Sequence, residues 1–169
     1  MILIMKKYIA ALFCVLLTFT ACSNGNTEQQ PAETEQVQTE KAASFNDIFA
    51  SIKDKTTLPL TTLKESFITS KYNIPTDELE EVIFAQAEDS ATNAESIYLL
   101  RAKDATKLPD YKAKLEAYIA QKATEFNNYG LPEQAKLLSD CTVNEKNGCL
   151  YCVVSENSEE ILEIIEKAL

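Results

Sequence analysis

Histidine and tryptophan are both absent from this 169-residue sequence, and glycine occurs only three times. Without histidine the chain has no Ser-His-Asp triad, no Cys-His pair and no imidazole ligand for a metal ion. Histidine is also the side chain that most often acts as a general base near neutral pH. Any chemistry would therefore depend on carboxylates, lysine, tyrosine or a thiol.

Glycines are scattered, and positive charge is scarce. Gly25, Gly130 and Gly148 lie far apart, so the sequence contains neither a glycine-rich phosphate-binding loop nor a dinucleotide-binding fingerprint. Lysine and arginine total 16 against 26 aspartates and glutamates, which gives a formal net charge of −10 at pH 7. Nucleic acid phosphates repel such a chain, and no basic stripe offsets the repulsion. We therefore expect no nucleic-acid partner.

The first 21 residues have the pattern of a secretory signal. Lys6 and Lys7 precede an uncharged, mostly apolar run from Tyr8 to Ala21. As a helix this run would be about 21 Å long, which is short of the roughly 30 Å hydrocarbon core of a bilayer. A basic start, a short apolar stretch and small residues before a cut site are typical of a cleaved signal. We therefore predict a signal peptide over residues 1–21.

The end of that signal, Phe19-Thr20-Ala21-Cys22, resembles the lipobox of bacterial lipoproteins. The resemblance implies that the Cys22 thiol receives a diacylglyceryl group and that the signal is cut just before this cysteine. Two alternatives stay open, an ordinary secretory signal with a chance cysteine and an uncleaved anchor. On the lipoprotein interpretation, acyl chains hold the protein on the outer leaflet of the cell membrane. Its acidic body would then stand off the anionic membrane surface.

Residues 22–43 are predicted to form the lipidated cysteine and a disordered tether. The stretch from Ser23 to Ala43 contains no Leu, Ile, Phe or Tyr. Such a segment cannot bury enough apolar surface to offset its chain entropy. As a flexible coil it would span roughly 25 Å, which would space the following domain from the bilayer.

Residues 44–169 are predicted to form a single α+β domain. The apolar spacing over residues 45–52 predicts a short helix behind the N-cap candidate Ser44, and a second short helix ends before Pro75. The remaining order is β-β-α-β-β-α, with strands near 82–85, 96–102, 141–143 and 149–154 and helices near 108–129 and 155–169. We expect a four-stranded, mostly antiparallel sheet with the helices packed on one face.

Three stretches of this domain resemble a family of clostridial-type lipoproteins, the domain of unknown function numbered 4358. They are Tyr72-Asn73-Ile74-Pro75, the run from Tyr129 to Gln134, and Cys152-Val153-Val154-Ser155. The resemblance covers residues 44–169 and implies a small lipid-anchored α+β domain. The family has no assigned activity, so the resemblance implies no catalytic residue.

The turn between the last two predicted strands decides which cysteines lie opposite each other. A loop over Glu145–Gly148 places Cys141 opposite Cys152, with the apolar residues between them on one face. A two-residue turn at Asn147-Gly148, which is a strong hairpin signal, would place Lys146 opposite a cysteine and break that face. We therefore predict the longer loop.

The redox state of the domain cysteines stays open. Cys141, Cys149 and Cys152 would lie outside the membrane, where oxidation is possible, so a Cys141–Cys152 disulfide is one possibility. Buried free thiols that pack as small apolar groups are the favoured alternative. A thiol metal site would need a fourth ligand that histidine cannot supply. We therefore expect no metal and no cofactor.

One acidic stretch is a further candidate site. Glu88, Asp89, Asn93 and Glu95 offer oxygen ligands for a calcium ion, but they lack the alternating spacing and central glycine of an EF-hand. We favour a solvated connection between two strands.

We expect a non-enzymatic binding or accessory module whose partner is a protein, a peptide or a wall polymer. A small extracytoplasmic enzyme using Glu, Lys or Tyr chemistry is the alternative, and a purely structural surface protein is a third possibility. Tyr111, Tyr118 and Lys122 would form a docking face if they clustered on the surface, although helix spacing favours core positions for the tyrosines. An exposed apolar patch favours a binding module, and a deep pocket with convergent carboxylates favours an enzyme.

Overall fold

The computed structural model describes residues 43–169. The predicted signal peptide (1–21), Cys22 and the predicted tether, apart from Ala43, lie outside the described residues. Within residues 43–169 the helices are α1 (Phe45–Ile52), α2 (Glu65–Tyr72), α3 (Leu108–Asn128), α4 (Pro132–Asp140) and α5 (Ser158–Ala168). The strands are β1 (Leu60–Thr62), β2 (Leu79–Ala87), β3 (Ser96–Ala102), β4 (Asn144–Lys146) and β5 (Cys149–Val154). The α+β class is therefore confirmed.

The sheet has five strands in the order β1-β2-β3-β5-β4, and each neighbouring pair is antiparallel. The prediction of four strands is wrong because it lacked β1, which pairs with the end of β2 from Leu60↔Ala87 to Thr62↔Ala85. A strand of three partly exposed residues shows no alternation of apolar and polar side chains. The element order differs also after α3, where the structure has the helix α4 and the predicted order has no element.

Helices cover both faces of the sheet, so the prediction of helices on one face is wrong. Ile97 and Leu99 of β3 pack with α1 and α5, whereas Tyr98 and Leu100 pack with α2, α3 and α4. Every residue of β5 is buried, which is typical of a strand with both faces covered. The continuous apolar run of this strand was the sequence signal for a three-layer arrangement.

Local capping signals fix the ends of α1 and α3. The Asp47 N–H donates to Ser44 Oγ at 3.2 Å, which confirms Ser44 as the N-cap of α1. Pro109 lies in the first turn of α3, and Gly130, with φ +75°, follows its last residues. A left-handed glycine at this position closes the helix with backbone hydrogen bonds, here from the Leu131 N–H to the Phe126 carbonyl oxygen at 2.9 Å.

The β4–β5 hairpin turns over two residues, so the predicted loop over Glu145–Gly148 is wrong. Lys146 pairs with Cys149, and both Asn147 (φ +50°) and Gly148 (φ +75°) are left-handed. Two consecutive left-handed residues match the twist of antiparallel strands. The longer loop was inferred from an apolar pattern that assumed a strand starting at Cys141, but β4 starts only at Asn144.

Candidate functional site

A groove of about 530 Å³ runs between α3, the end of α4 and the segment Cys141–Val143. Its floor is formed by the buried apolar residues Ile119, Ala123, Leu138 and Val143. Small side chains on this face of α3 leave space beside the end of α4. The groove therefore follows α3 from Glu116 to Asn127, on the sheet face opposite α1 and α5.

The rim of the groove is polar and almost uncharged. Thr124 and Asn127 of α3 lie on one side, and Ser139 and Thr142 lie on the other. Glu116 is the one charged residue among those that line the groove, and it makes no ion pair or hydrogen bond with the rest of residues 43–169. The arrangement suits a ligand with both apolar and hydrogen-bonding groups.

A disulfide between Cys141 and Cys152 stands at the edge of the groove, with the two Cα atoms 6.7 Å apart. Cys152 is fully buried in β5, whereas Cys141 is partly exposed and lines the groove. Cys141 is the C-cap of α4 and lies outside β4, so the bond joins a helix end to the sheet. Cys149 is a buried free thiol on the other sheet face, where the Arg101 Nε–H donates to its Sγ at 3.2 Å.

Glu95 is a buried carboxylate that sequence reasoning assigned to a solvated connection. Its side chain accepts four hydrogen bonds, from the Thr57 N–H (2.8 Å), the Thr57 hydroxyl (2.6 Å), the Leu58 N–H (2.7 Å) and the Ser155 hydroxyl (2.5 Å). These donors satisfy a charge that would be costly to bury alone. Glu95 thereby ties the connection after α1 to the start of β3 and the end of β5.

The acidic stretch does not converge on a metal ion. The Asp89 carboxylate accepts a hydrogen bond from the Thr92 hydroxyl, and the Asp89 carbonyl oxygen accepts one from the Asn93 N–H, which closes a turn. The Glu95 carboxylate instead accepts a hydrogen bond from the Thr57 hydroxyl. Among residues 43–169 no group of three or more Cys, Asp or Glu side chains is placed to hold a metal ion.

Tyr72, Tyr98, Tyr111 and Tyr118 pack together in the core on the α3 side of the sheet, whereas Tyr129 is 77% exposed. The ring centroids of Tyr72 and Tyr118 are 4.2 Å apart, and Tyr98 and Phe84 stack edge to face at 5.0 Å. Tyr111 is buried and donates its hydroxyl to the Glu78 carboxylate. Tyr111 and Tyr118 therefore take the core positions that the helix spacing favours, and the alternative docking face with Lys122 is not formed within residues 43–169.

Burial keeps the phenols of this cluster protonated. Desolvation, helped by the neighbouring Tyr118, raises the pKa of Tyr98 to about 12, and desolvation likewise raises the pKa of Tyr72. Tyr72 is 2% exposed, and its hydroxyl makes no hydrogen bond within residues 43–169. Neither phenol is therefore available as a base near neutral pH.

The described helices give no sign of a transmembrane segment, since none in residues 43–169 is long and apolar enough to cross a bilayer.

A five-stranded antiparallel sheet between two helical layers, with a groove on one layer, defines a small three-layer α+β domain. The family model described as "Domain of unknown function (DUF4358)" matches residues 53–155, and the chain belongs to this family. The match spans β1 to β5 with α2, α3 and α4, and it includes the whole groove; α1 and α5 lie outside it. No curated protein and no solved structure matches the chain. The resemblance to the domain of unknown function numbered 4358 is therefore confirmed over residues 53–155.

Proposed function

We propose that this protein is a lipoprotein of the clostridial type, anchored through Cys22 to the outer leaflet of the cell membrane. Its domain serves as a non-enzymatic binding or accessory module, and the groove beside α3 is its binding surface. The partner is a protein, a peptide or a wall polymer. The observation that carries the binding role is the groove itself, with its apolar floor, its neutral polar rim and the single carboxylate of Glu116.

Chemical considerations support binding over catalysis. Without histidine an enzyme would need converging carboxylates, a lysine with a lowered pKa or a phenolate. The groove presents only Glu116, and the buried carboxylate of Glu95 is already engaged by four donors. The buried tyrosines hold their protons. A general acid and base pair therefore has no obvious place beside this groove.

The site of chain entry is compatible with an anchored module. The Ala43 N–H donates to the Ala168 carbonyl oxygen at 3.4 Å, so the chain enters beside α5. This is the sheet face opposite the groove. A lipid anchor before Ala43 would therefore leave the groove accessible to a partner at the cell surface.

Replacing Cys22 with alanine is expected to release the protein from the membrane fraction or to stop its maturation, because the acyl chains supply the proposed anchor. The measurement is membrane fractionation combined with intact-mass analysis of the mature chain. Cys14→Ala is the matched control, since it removes a cysteine from the same predicted signal without touching the modified thiol. Unchanged membrane fractionation of the Cys22 variant would refute the anchor.

Replacing Ala120 with tryptophan is expected to reduce partner capture at the cell surface at least fivefold, because Ala120 is an exposed groove residue and an indole ring would fill the space beside it. Capture is measured with a membrane-impermeant cross-linker on intact cells, by comparing the wild type with variants at equal surface level. Ala117→Trp is the control, since Ala117 is exposed on α3 outside the groove. Equal capture by both tryptophan variants would remove the groove from the proposed function.

A further inference from the structure

The dimensions of the groove favour an elongated ligand. Its α3 side runs from Glu116 to Asn127, which is three helical turns and about 16 Å. An extended peptide advances about 3.3 Å per residue, so roughly five residues would occupy this length. Because alternate side chains of such a peptide point the same way, two or three would reach the apolar floor.

The far wall offers peptide-like hydrogen bonding. Cys141 has extended backbone angles (φ −70°, ψ 141°), and the segment leads into β4 without pairing to β5. Thr142 is exposed, its N–H donates no hydrogen bond within residues 43–169, and its carbonyl oxygen accepts one from Asn144 Nδ2 at 3.2 Å. The Thr142 N–H is therefore an exposed main-chain donor that a peptide carbonyl oxygen could accept from.

The negative charge of Glu116 determines which ligand group is favoured at its end of the groove. Glu116 stands unpaired at one end of the groove, and the whole sequence carries a formal charge of −10. No aromatic side chain lines the groove, so it lacks the stacking surface that favours sugars. A cationic group on a peptide would complement Glu116, whereas an anionic polymer would be repelled.

We propose that the groove binds an extended peptide segment, with apolar side chains on the floor of Ile119, Ala123, Leu138 and Val143 and a basic group against Glu116. The inference rests on the proposed function and names the partner class of that same site. The basic group is a lysine, an arginine or a chain-terminal amine, since each supplies a positive charge at the Glu116 end.

The test titrates the mature, lipidated protein in nanodiscs with two fluorescein-labelled heptapeptides and follows anisotropy. Both alternate leucine with threonine; one has lysine at each end and the other has glutamate at each end. The lysine peptide is expected to bind at least fivefold tighter. Glu116→Gln should bring the two affinities within twofold, whereas Glu159→Gln, which removes a charge on α5, should leave the ratio intact. Ala120→Trp should weaken both peptides at least tenfold, and Ala117→Trp should not.

Equal affinities of the two peptides for the wild type, or full binding to the Ala120 variant, would overturn the proposal. So would tight binding of peptide-free glycan strands with none of either heptapeptide. The outcomes separate the two levels of inference. If Ala120→Trp abolishes surface capture while no peptide binds, the binding module stands and the peptide class falls; if capture is also unaffected, both fall.

Discussion

Replacing Glu95 with alanine is expected to lower the free energy of unfolding by about 2–4 kcal/mol. Glu95 is 3% exposed, and its carboxylate is the common acceptor for Thr57, Leu58 and Ser155. Truncation would leave the buried Ser155 hydroxyl without its acceptor and would free two backbone N–H groups of the connection after α1. Hydrogen bonds to a charged group are among the stronger ones in proteins, so the loss exceeds that of an ordinary surface truncation.

The measurement is urea unfolding at neutral pH, with hydrogen exchange as a local readout. The amides of Thr57 and Leu58 should exchange faster in the Glu95→Ala variant. Glu95→Gln should cost less than the alanine change, since its remaining carbonyl oxygen still accepts hydrogen bonds. Glu88→Ala is the control, because Glu88 is exposed in the same stretch and should change stability by less than about 0.5 kcal/mol. Equal effects of the two alanine variants would contradict the stabilising role that we assign to the hydrogen bonds of Glu95.

Features encoded within one turn of helix or one strand were predictable from the sequence. Ser44 caps α1 through a residue three positions away, and Gly130 ends α3 through its own backbone conformation. Apolar runs in the sequence predicted the strands at 82–85, 96–102 and 149–154. In each case the physical cause lies inside a short window of the chain.

Features that depend on distant partners were not predictable. Glu95 lies among polar residues and was interpreted as solvated, because its partners Thr57 and Ser155 are 38 and 60 positions away. The groove was missed for the same reason: Ala120 and Ala123 are ordinary helix formers until the end of α4 is placed beside them.

The hairpin shows that a pattern of buried apolar residues can lead to the wrong prediction of strand register. The face that contains Val143, Leu150, Cys152 and Val154 does exist, but it does not come from continuous strand pairing. Val143 reaches that core from a segment outside β4, so its burial places no constraint on the turn. The Asn-Gly signal, which acts through backbone conformation alone, was the better guide.

Breaking the Cys141–Cys152 link is expected to destabilise the domain by about 3 kcal/mol, because the bond closes a loop with a sequence separation of 11 and restricts the unfolded chain. The measurement compares unfolding of the oxidised wild type, the reduced wild type and a Cys141→Ala/Cys152→Ala double variant. The variant should be insensitive to reductant. Under denaturing conditions, thiol labelling of the three domain cysteines should modify one without reductant and three after reduction. Labelling of all three before reduction would rule out the bridge.

The effect of this bond should be concentrated at the groove, because the segment from Cys141 to Val143 has no ladder pairing of its own. At one end it is held by α4, at the other by β4, and the disulfide is its covalent tie to β5. Reduction should therefore speed exchange of the Cys141 amide, which donates to the Leu138 carbonyl oxygen at 3.3 Å, at least tenfold more than exchange in β3, which is paired on both sides. A uniform change across the domain would show that the bond stabilises the fold as a whole without ordering the groove wall.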